Sequence, residues 1–466
     1  MSSINLFNSK SKKKEVFQPI NPPQVTMYNC GPTVYQYPHI GNLRSFIFAD
    51  TLRRTLEMNN YNVKQVINIT DVGHLTEDSD EGQDKIEIEA KKEKKAAQEI
   101  VELYTNAFFS DLEKLNVKTK DVKFPKASEH IPEQIELIKE LEEKGFAYKI
   151  SDGIYFNTSK LSKYDVFQTA GDMLHDGARV TINSEKHSVA DFALWKFSGL
   201  KEKRQQEWDS PWGIGFPGWH LECSAMAMKY LGETIDIHTG GADHKFPHHP
   251  NEIAQSESST GVEFARFWLH NGFLNVSNKK MAKSKGNFLT LNDLEKKGFQ
   301  PLDLRYLLLT SHYRSPMSFT LRALEGASSA LNKLKEYIQN ISKESDDVEP
   351  DKIFLDKFHD FINDDLNTPQ AIALVWLLVK NKRIKRSVKL KTIEYFDTIL
   401  GLELLKPSEL KIPKKVQKLL DEREKARAEK NWEKADQIRE EMENNGFTVR
   451  DEVDGAKITP ISQRTQ

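Results

Sequence analysis

Four side chains from three separate stretches of the chain have the chemistry of metal ligands. In FPHHPNEIAQ (246–255), His248 and Glu252 stand four residues apart, a spacing that points two side chains the same way on a helical turn and lets them share an ion. A histidine at a helix start is more often a cap or a core residue, so the pair alone leaves both readings open. Pro250 does not forbid a helix, because proline is tolerated in the first turn, where its missing N–H would have had no partner. The chain has two cysteines, Cys30 and Cys223. Thiolate, imidazole and carboxylate together suit zinc, at about 2.0–2.3 Å. Buried thiols or a disulfide between them are the alternatives. The four donors are scattered among glycine-rich loops rather than grouped as CxxC pairs, which favours a metal facing a pocket.

Two other stretches could handle phosphate. PHIGN (38–42) precedes a run that reads as a helix, so helix N–H groups and the positive end of the dipole would meet an anion there. Gly41 permits close backbone approach, and His39 and Asn42 can donate. KKMAKSKGN (279–287) is lysine-dense. Such a loop is ordinarily solvated, yet one carrying ammonium groups and a hydroxyl can also close over a triphosphate and neutralise transition-state charge.

These stretches need a scaffold. VTMYNC (25–30) reads as a strand, LRSFIFADTLRRTLEM (43–58) as a buried helix ended by Asn59 and Asn60, and VKQVINIT (63–70) as a second strand. That is a βαβ unit with a parallel sheet. IEIEAKKEKKAAQEI (86–100) reads as an exposed helix. A second α/β stretch ends in DFALWKF (191–197), and a glycine- and tryptophan-rich loop leads into a helix from His220 onward, with Cys223 near its start. TIDIHTGGADHKFPHH (234–249) reads as strand, glycine turn and loop, the place where doubly wound sheets bind ligands. From Pro301 the pattern is helical, with a polar linker at 341–350 and a helix opening at NTPQAIALVWLLV, capped by Thr368 with Pro369 in its first turn. Near the C-terminus, Ala435, Ile438 and Met442 recur at helical spacing beneath many lysines and arginines, and a hairpin turns at Asp454 and Gly455.

The chain has 466 residues, 38% hydrophobic, with a formal net charge of −2. It is long enough for two to four domains, and a polyanion would have to be met by local basic patches. Two cysteines are too few for a disulfide scaffold. No signal-peptide core follows the N-terminal lysines, and the longest apolar run, ALVWLLV, is too short to span a bilayer. A soluble, cytoplasmic protein is expected.

CGPTVYQYPHIGN resembles the HIGH region of class I aminoacyl-tRNA synthetases, and KMAKS (280–284) their KMSKS loop. The cysteine before the HIGH region, PGWHLECSAM and FPHHPNEIAQS are similar specifically to cysteinyl-tRNA synthetases. DLNTPQAIALVWLL resembles that family's helical domain and ARAEKNWEKADQIRE its C-terminal domain, so the likeness covers nearly the whole chain. The resemblance implies that Cys30, Cys223, His248 and Glu252 hold one zinc that binds the substrate thiolate. Gly31, Thr70, Trp219 and His248 would meet the cysteine. His39, Gly41, Asn42, Lys280, Lys283 and Ser284 would handle ATP with its Mg²⁺, with His39, Asn42, Lys280 and Lys283 as the catalytic set. Asn42 replaces the signature's second histidine, and Ala282 the loop's first serine. After Thr70 the chain reads DVGHL, and the resemblance implies no role there.

The implied fold is α/β: a Rossmann-type doubly wound parallel-sheet catalytic domain at 20–290, with an inserted segment at about 110–200. A stem-contact region at 291–340, a helical bundle at 341–405 and a small helix-hairpin domain contacting tRNA at 406–466 follow. The implied activity is ATP-dependent activation of L-cysteine and its transfer to the terminal adenosine of tRNA(Cys), by a monomer. One alternative is a ligase passing the same adenylate to an amino sugar, and another is a silent, zinc-stabilised RNA-binding paralogue.

Overall fold

After an N-terminal hairpin, strand and helix alternate through the first parallel unit, as the apolar periodicity demands. In the computed structural model, residues 3–73, 75, 82–164, 166–167, 184–198, 204–276, 279–280, 288–341, 348–407, 414–445, 447–452 and 455–460 are described. A hairpin of β1 (Asn5–Asn8) and β2 (Lys13–Val16) precedes β3 (Gln24–Asn29), α1 (Ile40–Met58) and β4 (Asn62–Ile67). β3 and β4 run parallel with Tyr28 opposite Val66, and their C-terminal halves are buried, as in a sheet covered on both faces. The second strand is shorter than its apolar run: Asn68 to Thr70 leave the ladder to meet the 31–34 loop, with Thr70 N donating to Pro32 O at 3.0 Å and Val34 N to Thr70 O at 3.1 Å.

The charged run at 86–100 is not one exposed helix. It is split between α2 (Lys85–Glu93) and α3 (Ala97–Lys114), because Lys94 turns left-handed at φ 53°. Ile86, Ala90, Ala97 and Ile100 are buried beneath the lysines, so an apolar stripe was hidden in a charged sequence. Next come β5 (Val122–Lys123), α4 (Ile131–Glu143), β6 (Ala147–Ile150), β7 (Gly153–Phe156), β8 (Phe192–Phe197) and β9 (Gly215–Pro217). Strands β6 to β9 form their own antiparallel sheet in sequence order.

The parallel sheet resumes with α5 (Trp219–Leu231), β10 (Ile235–Gly241), α6 (His248–Thr260) and β11 (Ala265–Asn271). Its order is β11-β10-β3-β4-β5, all parallel. The chain leaves β3 toward β5 on one side and returns to β10 on the other, so the strand order reverses between β3 and β10. A crevice opens at such a switch point, outside the carboxyl ends of the strands.

After this sheet come β12 (Leu274–Val276), β13 (Lys279–Lys280), α7 (Leu291–Lys296), α8 (Pro301–Leu309), β14 (Met317–Phe319) and α9 (Leu321–Gln339). β14 interrupts the expected all-helical stretch by pairing parallel with β12. Helices α10 (Lys352–Asn363), α11 (Thr368–Lys380) and α12 (Arg386–Leu400) pack into a bundle on α1, α8 and α9. Asn367, not Thr368, caps α11, its side chain accepting from Gln370 N at 3.4 Å. Thr368 is drawn away because its hydroxyl donates to Leu309 O at 2.8 Å. Finally α13 (Lys414–Ala428) and α14 (Trp432–Asn444) pack against each other, and β15 (Phe447–Glu452) pairs with β16 (Gly455–Pro460). Among the described residues, no helix is long and apolar enough to cross a membrane.

Candidate active site

The switch-point crevice receives the four expected metal donors. Cys30 follows β3, its N–H donating across to Thr239 O of β10 at 3.2 Å. Helix α5 carries Cys223 one turn inside its start, and α6 carries His248 in its first turn and Glu252 in its second. One donor atom from each of the four lies within 4.8 Å of all the others. His248 Nε2 is 3.1 Å and Cys30 Sγ 3.7 Å from Glu252 Oε1. Zinc bonds of about 2.0–2.3 Å put tetrahedral ligands about 3.3–3.8 Å apart, so spacing and donor chemistry both fit zinc. Both cysteines are free thiols, which removes the disulfide alternative.

All four side chains are buried, and their protonation is settled among themselves. Burial pushes the Cys30 thiol well up, helped by the hydrogen bond with Cys223 and by Glu252. Cys223 is pulled down to about 6, because the hydrogen bond from Cys30 and the His248 ring outweigh burial. His248 is raised to about 10 against burial, chiefly by Glu252. Glu252 is held below the ordinary carboxylate range, since His238 and His248 overcome its desolvation. The Cys223 thiolate and the Glu252 carboxylate thus stand beside a protonated His248 ring and the Cys30 thiol, and a dication could take the place of those two protons.

Around it lies a shell not anticipated from sequence. His238 Nε2 is 2.8 Å from Glu252 Oε2, and His249 Nε2 is 3.3 Å from Cys30 Sγ. The second ring nitrogen of His249 meets His270 Nε2 at 2.8 Å, and His270 Nδ1 meets Ser9 Oγ at 2.8 Å. Cys30, His238, His249 and Glu252 form a second four-donor group sharing two members with the first, so the two compete for one ion. Burial drives His249 and His270 well below the usual imidazole value, which keeps them neutral. Glu222, beside Cys223, is buried too, and burial pushes its carboxyl well up. The doubled histidine at 248–249 was the one hint of this shell.

From the cluster a cavity of about 270 Å³ runs past Trp219 to His39, Gly41 and Asn42. The Trp219 ring lies 4.6 Å from that of His248. At Gly31 a Cβ would fall 1.5 Å from Asn68 O, so only glycine fits. Gly31 N donates to Asn68 Oδ1 at 2.7 Å, and Asn68 Nδ2 to Thr70 Oγ1 at 3.0 Å. This places Gly31 and Thr70 in one network on the wall of the cavity. Asp71 is an anchor rather than part of that wall: its carboxylate accepts from Ser128 N at 2.9 Å and from Ser128 Oγ at 2.5 Å.

At the other end, His39 is the N-cap of α1. Its Nδ1 accepts from Asn42 N at 3.0 Å, and Asn42 Oδ1 accepts from His39 N at 3.1 Å, closing a reciprocal capping box. Asn42 is thus a cap first, with its amide nitrogen on the side away from the capping oxygen. An acceptor Nδ1 means that a neutral His39 ring carries its hydrogen on Nε2. Lys280 lies in β13, whereas Lys283 and Ser284 fall outside the described residues. The chain returns at Phe288, whose ring meets the His39 ring edge-on at 5.4 Å, and Ile40 N donates to Leu289 O at 2.9 Å. Phe288 and Leu289 are therefore fixed against the start of α1.

Known proteins and family models resemble this chain over nearly its whole length. A family model described as "tRNA synthetases class I (C) catalytic domain" matches residues 16–329, and one described as "Cysteinyl-tRNA ligase anticodon binding domain" matches residues 411–458. The chain is 45% identical over 461 residues to cysteine–tRNA ligase 1 of Burkholderia lata, covering 98% of this chain and 96% of that protein. It is 41% identical over 483 residues to the cysteine–tRNA ligase of Treponema denticola, covering 97% and 98%. Among solved structures, Mycobacterium tuberculosis methionyl-tRNA synthetase in complex with methionyl-adenylate matches with a TM-score of 0.53 at 15% identity, over 81% of this chain and 90% of that one. The last likeness speaks to fold alone.

Proposed function

The chain belongs to the cysteine–tRNA ligase family of class I aminoacyl-tRNA synthetases, and from that premise we propose how its cleft works. It is an ATP-dependent ligase that joins L-cysteine to tRNA(Cys) in two steps. The cysteine carboxylate attacks the α-phosphorus of ATP and expels pyrophosphate, and the terminal adenosine of the tRNA then takes the acyl group from the adenylate.

The observation that carries the reading is that Cys30, Cys223 and His248 of the four-donor cluster line the same cavity as the His39 cap. Zinc held by those four side chains would supply a Lewis-acidic contact that accepts a thiol as thiolate and a serine hydroxyl only reluctantly. His238, His249 and His270 would fix the ligands from behind. Gly31 and Thr70 would orient the amino and carboxylate groups, and Trp219 would wall the side-chain end against water. At the phosphate end, His39 Nε2–H, the Asn42 amide and the first N–H groups of α1 would meet the triphosphate, with Gly41 allowing close approach. Lys280, Lys283 and Ser284 would close over it with Mg²⁺, so catalysis is by positioning and by stabilising developing charge. No covalent enzyme intermediate is needed.

The chain divides in this reading into chemistry at 20–290, stem contact at 291–340, a helical bundle at 341–405 and an anticodon-contacting end at 406–466. The alternatives of an amino-sugar ligase or a silent RNA-binding paralogue are not favoured, since neither explains relatives matched end to end. Charging of a tRNA(Cys) transcript with labelled cysteine and ATP tests the reading. Formation of ester-linked cysteine is expected, and its absence with fully zinc-loaded protein would overturn it.

A further inference from the structure

We propose that Glu222 is a positioning residue for the ammonium group of the substrate, acting through the Thr70 hydroxyl, an inference that rests on the ligase reading. Glu222 lies in the first turn of α5, next to Cys223, and is 2% exposed. Neither of its carboxyl oxygens completes a hydrogen bond among the described residues. The Thr70 hydroxyl nevertheless approaches it as a donor, and α5 packs on β3 and β4, the strands that lead to Cys30 and to the 68–70 segment. A buried carboxyl without a completed bond costs stability. This one stands beside a threonine that lines the cavity, without lining the cavity itself.

The hydrogen bonds leading to Glu222 run in one direction. Gly31 N–H can only donate, so the Asn68 atom that it meets at 2.7 Å is the amide oxygen. That turns the Asn68 amide nitrogen toward Thr70, and it donates to Thr70 Oγ1 at 3.0 Å. Thr70 Oγ1 has one hydrogen of its own to place. The Glu222 carboxyl takes it, since a carboxyl keeps an accepting oxygen whether ionised or not. The remaining lone pair of Thr70 Oγ1 is then left for the cavity as an acceptor, which is what an ammonium group requires. Without Glu222 the hydroxyl would be free to turn its hydrogen to the cavity and meet the ammonium donor to donor.

The other carboxylates that act on this group are committed elsewhere. Asp71 accepts from Ser128 N at 2.9 Å and from Ser128 Oγ at 2.5 Å. Glu252 meets His238 Nε2 at 2.8 Å and His248 Nε2 at 3.1 Å, within the metal cluster. Glu222 is thus the uncommitted acid beside Thr70. Successive residues of a helix point about 100° apart, so α5 can turn Cys223 to the metal cluster and Glu222 to Thr70. In cysteine the sulfur and the nitrogen sit on adjacent carbons. Adjacent residues of one helix therefore serve the two groups by which the substrate is held, the thiol through Cys223 and the ammonium through Glu222.

The test is cysteine-dependent pyrophosphate exchange by the full, zinc-loaded chain carrying Glu222→Met, an apolar side chain of similar length. KM for cysteine should rise about 10-fold or more, the worth of one hydrogen bond to a charged group, with kcat little changed. The melting temperature should not fall, because the carboxyl removed had no completed bond. 3-Mercaptopropionate, which keeps the thiol and carboxylate of cysteine but has no ammonium, should inhibit the variant and wild type equally. Glu222→Gln, which retains an accepting oxygen, should recover most of the affinity for cysteine. Thr70→Val should raise KM for cysteine in the same way, and adding Glu222→Met to it should raise KM no further, because the carboxyl acts through that hydroxyl. If Glu222→Met does not fold or load zinc, Glu222→Asp, which withdraws the acceptor by one methylene, carries the same comparison of cysteine with 3-mercaptopropionate. An unchanged KM for cysteine overturns the proposal, as does an equal loss of affinity for cysteine and 3-mercaptopropionate, which would make Glu222 a support of the metal cluster. Zinc-loaded wild-type protein with no cysteine-dependent exchange would instead overturn the ligase reading itself.

Discussion

His39 and Asn42 cap one another: the imidazole Nδ1 accepts from Asn42 N at 3.0 Å while Asn42 Oδ1 accepts from His39 N at 3.1 Å. The pair fixes the imidazole tautomer at the mouth of α1, and with the phosphate contact proposed for its amide Asn42 would have two separable duties. Asn42→Asp keeps both capping bonds but replaces an amide donor with a carboxylate facing phosphate. Its melting temperature should match wild type while kcat for pyrophosphate exchange falls by about 10²–10³. Asn42→Ala should instead lose about 1 kcal/mol of stability with the bond from His39 N, while its backbone N–H still meets His39 Nδ1. Wild-type exchange by Asn42→Asp would show that the residue is a cap and nothing more.

Metal content follows from the buried donors. Purified protein should hold one zinc per chain, and Cys223→Ser should lower affinity by at least about 10-fold, the low end of what ligand-shell changes cost. His238→Ala should weaken zinc less than Cys223→Ser, because its imidazole reaches Glu252 rather than the cysteines. Elemental analysis with a competing chelator measures both. Full zinc retention by Cys223→Ser would move the centre to the overlapping group of Cys30, His238, His249 and Glu252.

Asp50 of α1 ties the parallel sheet to the helical bundle. Its buried carboxylate meets Arg54 Nε at 2.8 Å and the Arg305 guanidinium. Those arginines hold its carboxyl below the ordinary range in spite of burial. Arg305 also donates to Leu115 O at 2.9 Å, and a Cβ on Gly401 would fall 2.6 Å from its guanidinium. Asp50→Asn should cost about 3–5 kcal/mol by leaving buried cations uncompensated. Arg305→Met added to it should cost much less than the sum. Strict additivity in denaturant unfolding would mean that the two residues do not act as a pair.

Asp111 predicts a pH dependence. Burial, with Glu295 adding and Lys114 opposing, pushes its carboxyl up to about 7. An acid whose folded value is raised binds more protons folded than unfolded, so its contribution favours folding at low pH. That contribution declines between 3.8 and about 7. Asp111→Asn should therefore gain on wild type as pH rises, by on the order of 1–2 kcal/mol near neutrality after solvent screening. Equal pH profiles of melting temperature for the two proteins would contradict it.

Local signals could be read in the sequence, and distant ones could not. Cys30, Cys223, His248 and Glu252 were readable as candidate donors from residue type and the His248 to Glu252 spacing, and the structure brings them together; β3, α1 and β4 were readable because their apolar periods are clean. His238, His249 and His270 were not, since nothing in a strand or helix pattern says which buried imidazoles gather behind one cluster. The α2 to α3 break rests on Lys94 adopting a left-handed turn, which its residue type does not signal. The neutrality of the C-terminal helices was countable, with nine lysines and arginines against nine aspartates and glutamates between 414 and 445. The pairing of Arg423 with Asp451, 28 residues on, was not, because it depends on the hairpin folding back. Asn367 took the cap from Thr368 for a similarly distant reason, the carbonyl of Leu309.

The buried cluster is assigned to reading the substrate thiol for an ATP-dependent activation. Pyrophosphate exchange measured with cysteine and with serine, before and after removal of zinc by a chelator, decides whether it does. Exchange should occur with cysteine only, be abolished by chelation and return with added zinc. Exchange that survives zinc removal, or that serine supports as well as cysteine, would contradict the assignment.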